Sequence, residues 1–323
     1  MHIVAFIKQN IVVFTTTMFI MLLLMVCPTI SAQPTPCPGI PTGISNVSNI
    51  SWDQDSGHVI VGIDQHNENR FLQLWLQWEI ETETIKLAHL PNTIMALQIV
   101  DTFGLHQEFL SNEIFISLSP SGENAIYFTS GEIYKIDTRT MERTVLGEFP
   151  IHTIIETIWL SDENILIVHA PPEGIGYGII QLCLQEDCRN NISENIGSVI
   201  GRPSVSSDAQ KLAVYDIATN NLLVYSLLNN SVLKRIALNG SLLGDLPPYW
   251  STNNGSVYVM GLNEDVDMKV FQINLVTGEF IQTISLGSEL AQITPANWLF
   301  SETKQYIVLS SQFDDRKLHL QCF

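Results

Sequence analysis

Positive charge is scarce in this chain. Fifteen lysines and arginines stand against 33 acidic residues, giving a formal net charge of −18 over 323 residues. A surface of that sign repels phosphate backbones and anionic bilayers, so nucleic acid is excluded as a partner. Catalytic signatures are missing as well. There is no Gly-x-Ser-x-Gly elbow to expose a nucleophile, and no strand-helix alternation where a hydrolase domain would sit. There is no His-Glu-x-x-His and no pair of Cys-x-x-Cys, so zinc chemistry has no motif to stand on. The eight histidines are scattered and read as surface or turn residues.

Long apolar runs are equally rare. The one that exists is "IVVFTTTMFIMLLLMVC" (11–27), preceded by Lys8 and followed by the small residues of "PTISAQP". A charged start, an apolar centre and a small-residue cleavage zone predict a signal peptide over residues 1–32. The run has 17 residues, at the lower limit for a membrane span, so an uncleaved anchor is the other reading. The expected location is outside the cytoplasm, extracellular or periplasmic, with membrane contact only through an uncleaved N-terminus.

What fills residues 33–323 is a repeat. "SLSPSGENAIYF" (117–128) has matches at "SWDQDSGHVIVG" (51–62), "IWLSDENILIVH" (158–169), "SVSSDAQKLAVY" (204–215), "YWSTNNGSVYVM" (249–260) and "NWLFSETKQYIV" (297–308). Each gives a large apolar residue, a polar turn of about six residues, and an alternating apolar strand. The anchors are Trp52, Leu118, Trp159, Val205, Trp250 and Trp298, so four of the six tryptophans fall on one position. The second half of each unit repeats too, as in "GEIYKIDTRTMERTVLGEF" (131–149) and "KVFQINLVTGEFIQTISL" (269–286): strand, short turn, strand.

Four antiparallel strands in about 45 residues is the period of a β-propeller blade. The expected fold is therefore all-β, one six-bladed propeller domain over 33–323, with blades starting near 50, 115, 156, 202, 247 and 295. Packing blades radially covers both faces of each small sheet and leaves only short edges. Trp52, Trp159, Trp250 and Trp298 are expected as bulky filler between blades. The long first spacing implies an insertion over 91–113.

The pattern of apolar residue or Trp, Ser, turn, Gly, alternating strand and then "IYKIDTRT" resembles the TolB-type propeller repeat. It also resembles the N-terminal propeller of dipeptidyl peptidase IV and, more loosely, WD-like repeats. The likeness spans nearly all of 33–323 and implies docking of a protein partner on a propeller face. TolB-type proteins carry an α/β domain ahead of the propeller, and none is expected here.

Five cysteines are present, and Cys27 belongs to the N-terminal segment. Four remain in a chain expected to be secreted, which argues for two disulfides. Cys183 and Cys188 flank a hairpin turn and are expected to bridge. Cys322 lies as far after Trp298 as Cys183 lies after Trp159, 24 residues. The sequence given ends at Phe323, and the last blade is expected to lack a fourth strand of its own. The segment "PCPGIPTGISNV" (36–47) is expected to supply that strand and close the ring, with Cys37–Cys322 pinning the seam.

Candidate site residues are few. The insertion holds Asp101, His106 and Glu108 beside Phe103 and Phe109, and long connections on one propeller face often bind ligands. Asp53 and Asp55 in "DQDSG" resemble the start of a calcium loop but are one position short and lack its closing Glu. Glu264, Asp265 and Asp267 read as a solvated loop. Sequons stand at Asn46, Asn49, Asn191, Asn229, Asn239 and Asn254. The expected function is a monomeric, non-catalytic module binding a protein or small molecule, without a cofactor. The rival reading is a secreted propeller enzyme, a calcium-dependent lactonase or a glycosidase, with acids in the central channel.

Overall fold

The computed structural model describes residues 47–53, 58–67, 70–80, 84–87, 98–99, 102–104, 115–129, 131–148, 154–171, 175–185, 188–197, 200–238, 241–243, 246–262, 267–286, 293, 295–301, 306–311 and 317–322. Residues 1–32, and with them the predicted signal peptide, lie outside this set. All the described residues belong to one compact unit, Pro38–Phe323. None of their helices is long and apolar enough to cross a membrane.

The described residues form six small antiparallel sheets, each built from consecutive stretches of chain. Sheet one holds β1 (Val47–Asp53), β2 (His58–Asn67), β3 (Arg70–Glu79) and β4 (Thr84–Leu87). Sheet two holds β5 (Phe115–Leu118), β6 (Asn124–Thr129), β7 (Glu132–Asp137) and β8 (Glu142–Glu148). In sheet three are β9 (Ile154–Ser161), β10 (Asn164–His169), β11 (Gly178–Cys183) and β12 (Arg189–Asn191). Sheet four has β13 (Ser204–Val205), β14 (Lys211–Asp216), β15 (Asn221–Ser226) and β16 (Ser231–Ala237).

Sheet five departs from the pattern. Its first strand is split into β17 (Ser241–Leu242) and β18 (Tyr249–Trp250), both paired with β19 (Ser256–Leu262). Pro247 and Pro248 lie in the gap and carry no N–H for the ladder, which accounts for the break. β20 (Met268–Asn274) and β21 (Phe280–Ser285) complete it. Sheet six has three strands among the described residues: β22 (Pro295–Ser301), β23 (Tyr306–Ser311) and β24 (Leu318–Cys322).

Strand register fixes the anchor residue of each unit. Trp52 pairs with Val59, Leu118 with Ala125, Val205 with Leu212 and Trp250 with Val257. In each case the partner is the second residue of the following strand. Trp159 pairs with the equivalent Ile165 across a bulge. In sheet six that place belongs to Phe300, which pairs with Ile307, whereas Trp298 pairs with Leu309. Trp298 is therefore two residues away from the anchor position assigned to it. Side chains alternate along a strand, so it still points to the same face as Phe300.

The middle of β6, β10, β14, β19 and β23 is apolar on both faces rather than alternating apolar and polar, as the sequence pattern suggested, and each of these strands contributes to two clusters. Ile165 and Ile167 of β10 pack with Ile126, Phe128 and Ile133 of sheet two, while Leu166 packs with Leu212 and Val214 of sheet four. Ala213 and Tyr215 of β14 meet Val257 and Val259 of sheet five, and Tyr258 and Met260 meet Ile307 and Leu309 of sheet six. Tyr306 and Val308, in turn, meet Val59, Val61 and Trp78 of sheet one. Packing thus runs continuously from sheet two through three, four, five and six to sheet one.

Ile99 and Phe103, in the stretch expected as an insertion, are packed rather than free. Residues 98–99 and 102–103 are helical, and Ile99 and Phe103 cover the face of sheet two that is turned away from sheet three. Arg143 holds the assembly from outside, stacking its guanidinium over Phe103 and Tyr134 and donating to the Tyr127 hydroxyl at 2.8 Å.

Polar ties reinforce the apolar contacts at the turns. The backbone N–H of Ser121 in sheet two donates to the Asp162 carboxylate of sheet three at 2.8 Å. Ser207 and Asn254 make the corresponding tie between sheets four and five. Hydrogen bonding by Ser121 holds the Asp162 carboxyl below its ordinary pKa. A lowered carboxylate pKa stabilises the fold above the unfolded value, near 4, and that contribution is lost as pH falls through the folded value. Asp162→Ala should accordingly destabilise the protein at pH 7, with the gap to the parent narrowing below about pH 4. Denaturant unfolding at both pH values measures it.

Candidate functional site

The first strands carry the polar convergence of the molecule. Glu156 stands three residues before Trp159 in β9, Arg202 three before Val205 at the approach to β13, and Asn297 three before Phe300 in β22. These are equivalent positions in sheets three, four and six. The Arg202 guanidinium donates from Nη2 to Glu156 Oε2 at 2.8 Å and from Nη1 to Asn297 Oδ1 at 3.0 Å. Both ends of the ion pair are shielded, with side-chain exposures of 18% for Arg202 and 35% for Glu156. One arginine therefore braces three sheets, reaching past sheet five to do so.

Sheet five supplies the wall. Tyr249, which opens β18, donates its hydroxyl to the Trp298 carbonyl at 2.8 Å and packs edge-on against the Trp298 ring. Burial pushes the phenol pKa up, the Glu156 charge pushes the same way, and the Arg202 charge opposes both. The Tyr249 phenol therefore stays protonated and serves as a donor.

The anchor tryptophans tie neighbouring first strands together. Trp159 donates from its indole to Ser117 Oγ of sheet two at 2.8 Å, and Trp250 donates to the Ser204 carbonyl of sheet four at 3.2 Å. In both cases the acceptor belongs to the residue just before the preceding sheet's anchor. Trp298 donates to the Pro247 carbonyl at 2.8 Å. Each of these indoles sits against the cluster between its own sheet and the one before, where an apolar body and one satisfied N–H suit the place. For Trp52 only the backbone is described.

Glu156, Arg202 and Asn297 were not among the residues singled out in the sequence. Asp101, His106 and Glu108 lie outside the described residues, as do Asp55, Glu264 and Asp265. Asp53 pairs through its backbone with His58 at the end of β1, and Asp267 is exposed. Among the described residues, no group of three or more His, Cys, Asp or Glu is placed to hold a metal ion. The missed residues had one signal, their shared distance from the anchor. It is visible only when the sixth unit is registered on Phe300.

The Cys183–Cys188 disulfide closes the turn between β11 and β12, with the Cα atoms 5.4 Å apart. Cys322 pairs with Tyr306, the first residue of β23, just as Cys183 pairs with Asn164, the first residue of β10. Cys322 is also disulfide-bonded, to a partner outside the described residues.

No family model matches the chain, and no curated protein matches it in sequence. Solved structures to which it is similar are β-propellers, TolB among them, as the repeat resemblance implied. The β-propeller domain of Cps50 (Swd1) from Myceliophteria thermophila is 9% identical over 86% of this chain and 83% of that one, at a TM-score of 0.46. A chain of the mitotic checkpoint complex is 11% identical over 91% and 80%, at 0.48. TolB from Acinetobacter baumannii is 14% identical over 83% and 78%, at 0.41. Identities this low say nothing about activity.

Charge-assisted hydrogen bonds of a shielded arginine contribute about 1.5–3 kcal/mol each, and solvent at Glu156 lowers that figure. Arg202→Met should lower the unfolding free energy by about 2 kcal/mol and Glu156→Gln by about 1 kcal/mol. The double variant should fall short of the sum, because both remove one contact. Denaturant titration of the four proteins checks the cycle.

Proposed function

We propose that the chain is a secreted six-bladed β-propeller that acts as a non-catalytic binding module, taking a protein or small molecule on the face where its first strands begin. The observation that carries this reading is the Arg202 brace. The shielded cation and the carboxylate nearest it are engaged with each other and with Asn297, so they fix a rigid rim across three sheets. Rigid first strands under variable connections are the usual basis of a binding face. The unbroken packing from sheet two round to sheet one supports the ring. The Cys183–Cys188 disulfide supports an oxidising location.

The ring is completed, in this reading, by the segment expected over 36–47, apart from Val47, which belongs to β1 and pairs with Ile63. Among the described residues β24 is the outer strand of its sheet, where sheets one to four each have a fourth strand. The register equivalence of Cys322 with Cys183 places a cysteine at that edge, and Cys37 is the partner we assign to it. The purified, non-reduced protein should give a linked Cys37–Cys322 peptide on digestion and mass mapping. Linkage of Cys322 to Cys27 would sink this closure.

The binding reading is tested by assay. The secreted protein should turn over neither lactones nor aryl glycosides, and a chelator should leave its melting temperature unchanged, since a site metal would raise it by mass action. Turnover that disappears with the chelator would establish the rival enzyme instead.

A further inference from the structure

The six sequons are equal in sequence, but the fold treats them differently. The side chains of three are described, at Asn191, Asn229 and Asn254. Asn191 is the N-cap of the helix Ile192–Ile196, its Oδ1 accepting from the Glu194 N–H at 3.3 Å. The hydroxyl of its sequon serine, Ser193, accepts from the Ile179 N–H at 2.6 Å. Asn254 is locked between sheets, its Nδ2 donating to Ser207 Oγ at 3.0 Å while its Oδ1 faces the Ser207 N–H. It sits at a φ of 54°, and the serine of its sequon, Ser256, is only 5% exposed and bonded to Gln272. A sugar on Nδ2 would replace the tie between sheets four and five.

Asn229 is different in every respect. It lies in the turn joining β15 to β16, and Leu228, Asn229, Asn230 and Ser231 are all exposed, Leu228 by 70%. The turn is held without the Asn229 side chain. Its backbone N–H donates to Ser226 Oγ at 3.1 Å, and Asn230 accepts from the Asn190 side chain at 2.7 Å. Among the described residues the Asn229 side-chain amide has no hydrogen-bond partner, so substitution at Nδ2 breaks nothing.

We infer that Asn229 is an N-glycan acceptor, on the outer rim of sheet four. The donor is a lipid-linked diphospho-oligosaccharide. The Asn229 Nδ2 forms a bond to C1 of the first sugar as the C1–oxygen bond to the diphosphate breaks. The lipid diphosphate leaves with the electron pair, and the amide gives up one proton to the transferase. The glycan would stand over Leu228, covering an exposed apolar side chain with a solubilising group. The inference rests on the secretion assigned above and not on the binding role.

The test is secretion of the full chain from a eukaryotic host, once behind its own N-terminal segment and once behind a host leader. The glycan is then removed enzymatically in heavy-oxygen water, which marks each formerly occupied asparagine by mass. The peptide carrying Asn229 should be marked, those carrying Asn191 and Asn254 should not, and Asn229→Gln should lose one glycan while remaining folded and secreted. An unmarked Asn229 in protein recovered behind the host leader overturns the inference. So does equal marking of Asn191 or Asn254 in folded protein. Failure of the native segment alone counts against the secretion reading, because the host leader still delivers the chain to the transferase.

Discussion

The sheets of this protein bury their faces chiefly against one another. That constraint explains the composition of the second strands. "AIYF", "ILIV", "LAVY", "VYVM" and "YIVL" carry almost nothing polar, because alternate positions serve different clusters on the two faces of the sheet. Fully burying a side chain of this size is worth about 1.5–3 kcal/mol, and every such strand supplies several. The outer strands escape the rule. β8 and β16 are largely exposed and correspondingly mixed. The insertion obeys it, since Ile99 and Phe103 cover the face of sheet two left over when sheet three has taken the other.

Apolar burial alone does not orient one sheet on the next, because it is non-directional. Orientation comes from a small set of polar contacts placed at strand ends. The indoles of Trp159, Trp250 and Trp298 each reach back to the preceding sheet, Ser121 and Ser207 tie turns together, and Arg202 reaches over a whole sheet to Asn297. Lys234 of β16 does similar service at the outer rim, capping the carbonyls of Leu275 and Val276 in the next sheet. The molecule is thus greasy between its sheets and hydrogen-bonded at its rims.

The architecture was readable because two independent signals coincided: a unit of about 45 residues and a recurrent large residue before a polar turn. Where only one signal was present the reading drifted. In the last unit the tryptophan drew the alignment to residue 298, while the hairpin geometry sets Phe300 opposite Ile307. That slip hid the polar site. Glu156, Arg202 and Asn297 share an offset from their anchors, but with Trp298 as anchor the third member becomes Pro295, and no polar ring is visible. The split first strand of sheet five concealed Tyr249 in the same way, since prolines in place of a continuous strand gave no hint that β17 and β18 share a partner. Aspartates and glutamates drew the eye toward turns instead, where their task is to receive backbone N–H groups, as Asp137 does from Arg139 and Thr140.

The distribution of tryptophan has an optical consequence. Trp159 belongs to the contact between sheets two and three, Trp250 to that between four and five, Trp298 to that between five and six, and Trp78 to that between six and one. Among the described side chains, four seams of the molecule thus each hold one indole, in surroundings that differ in polarity. Trp298 is 1% exposed and Trp78 fully shielded, while the other two are half-buried. Intrinsic fluorescence of this chain is a set of local emitters, and single-tryptophan variants would let each seam be watched opening by its own colour shift.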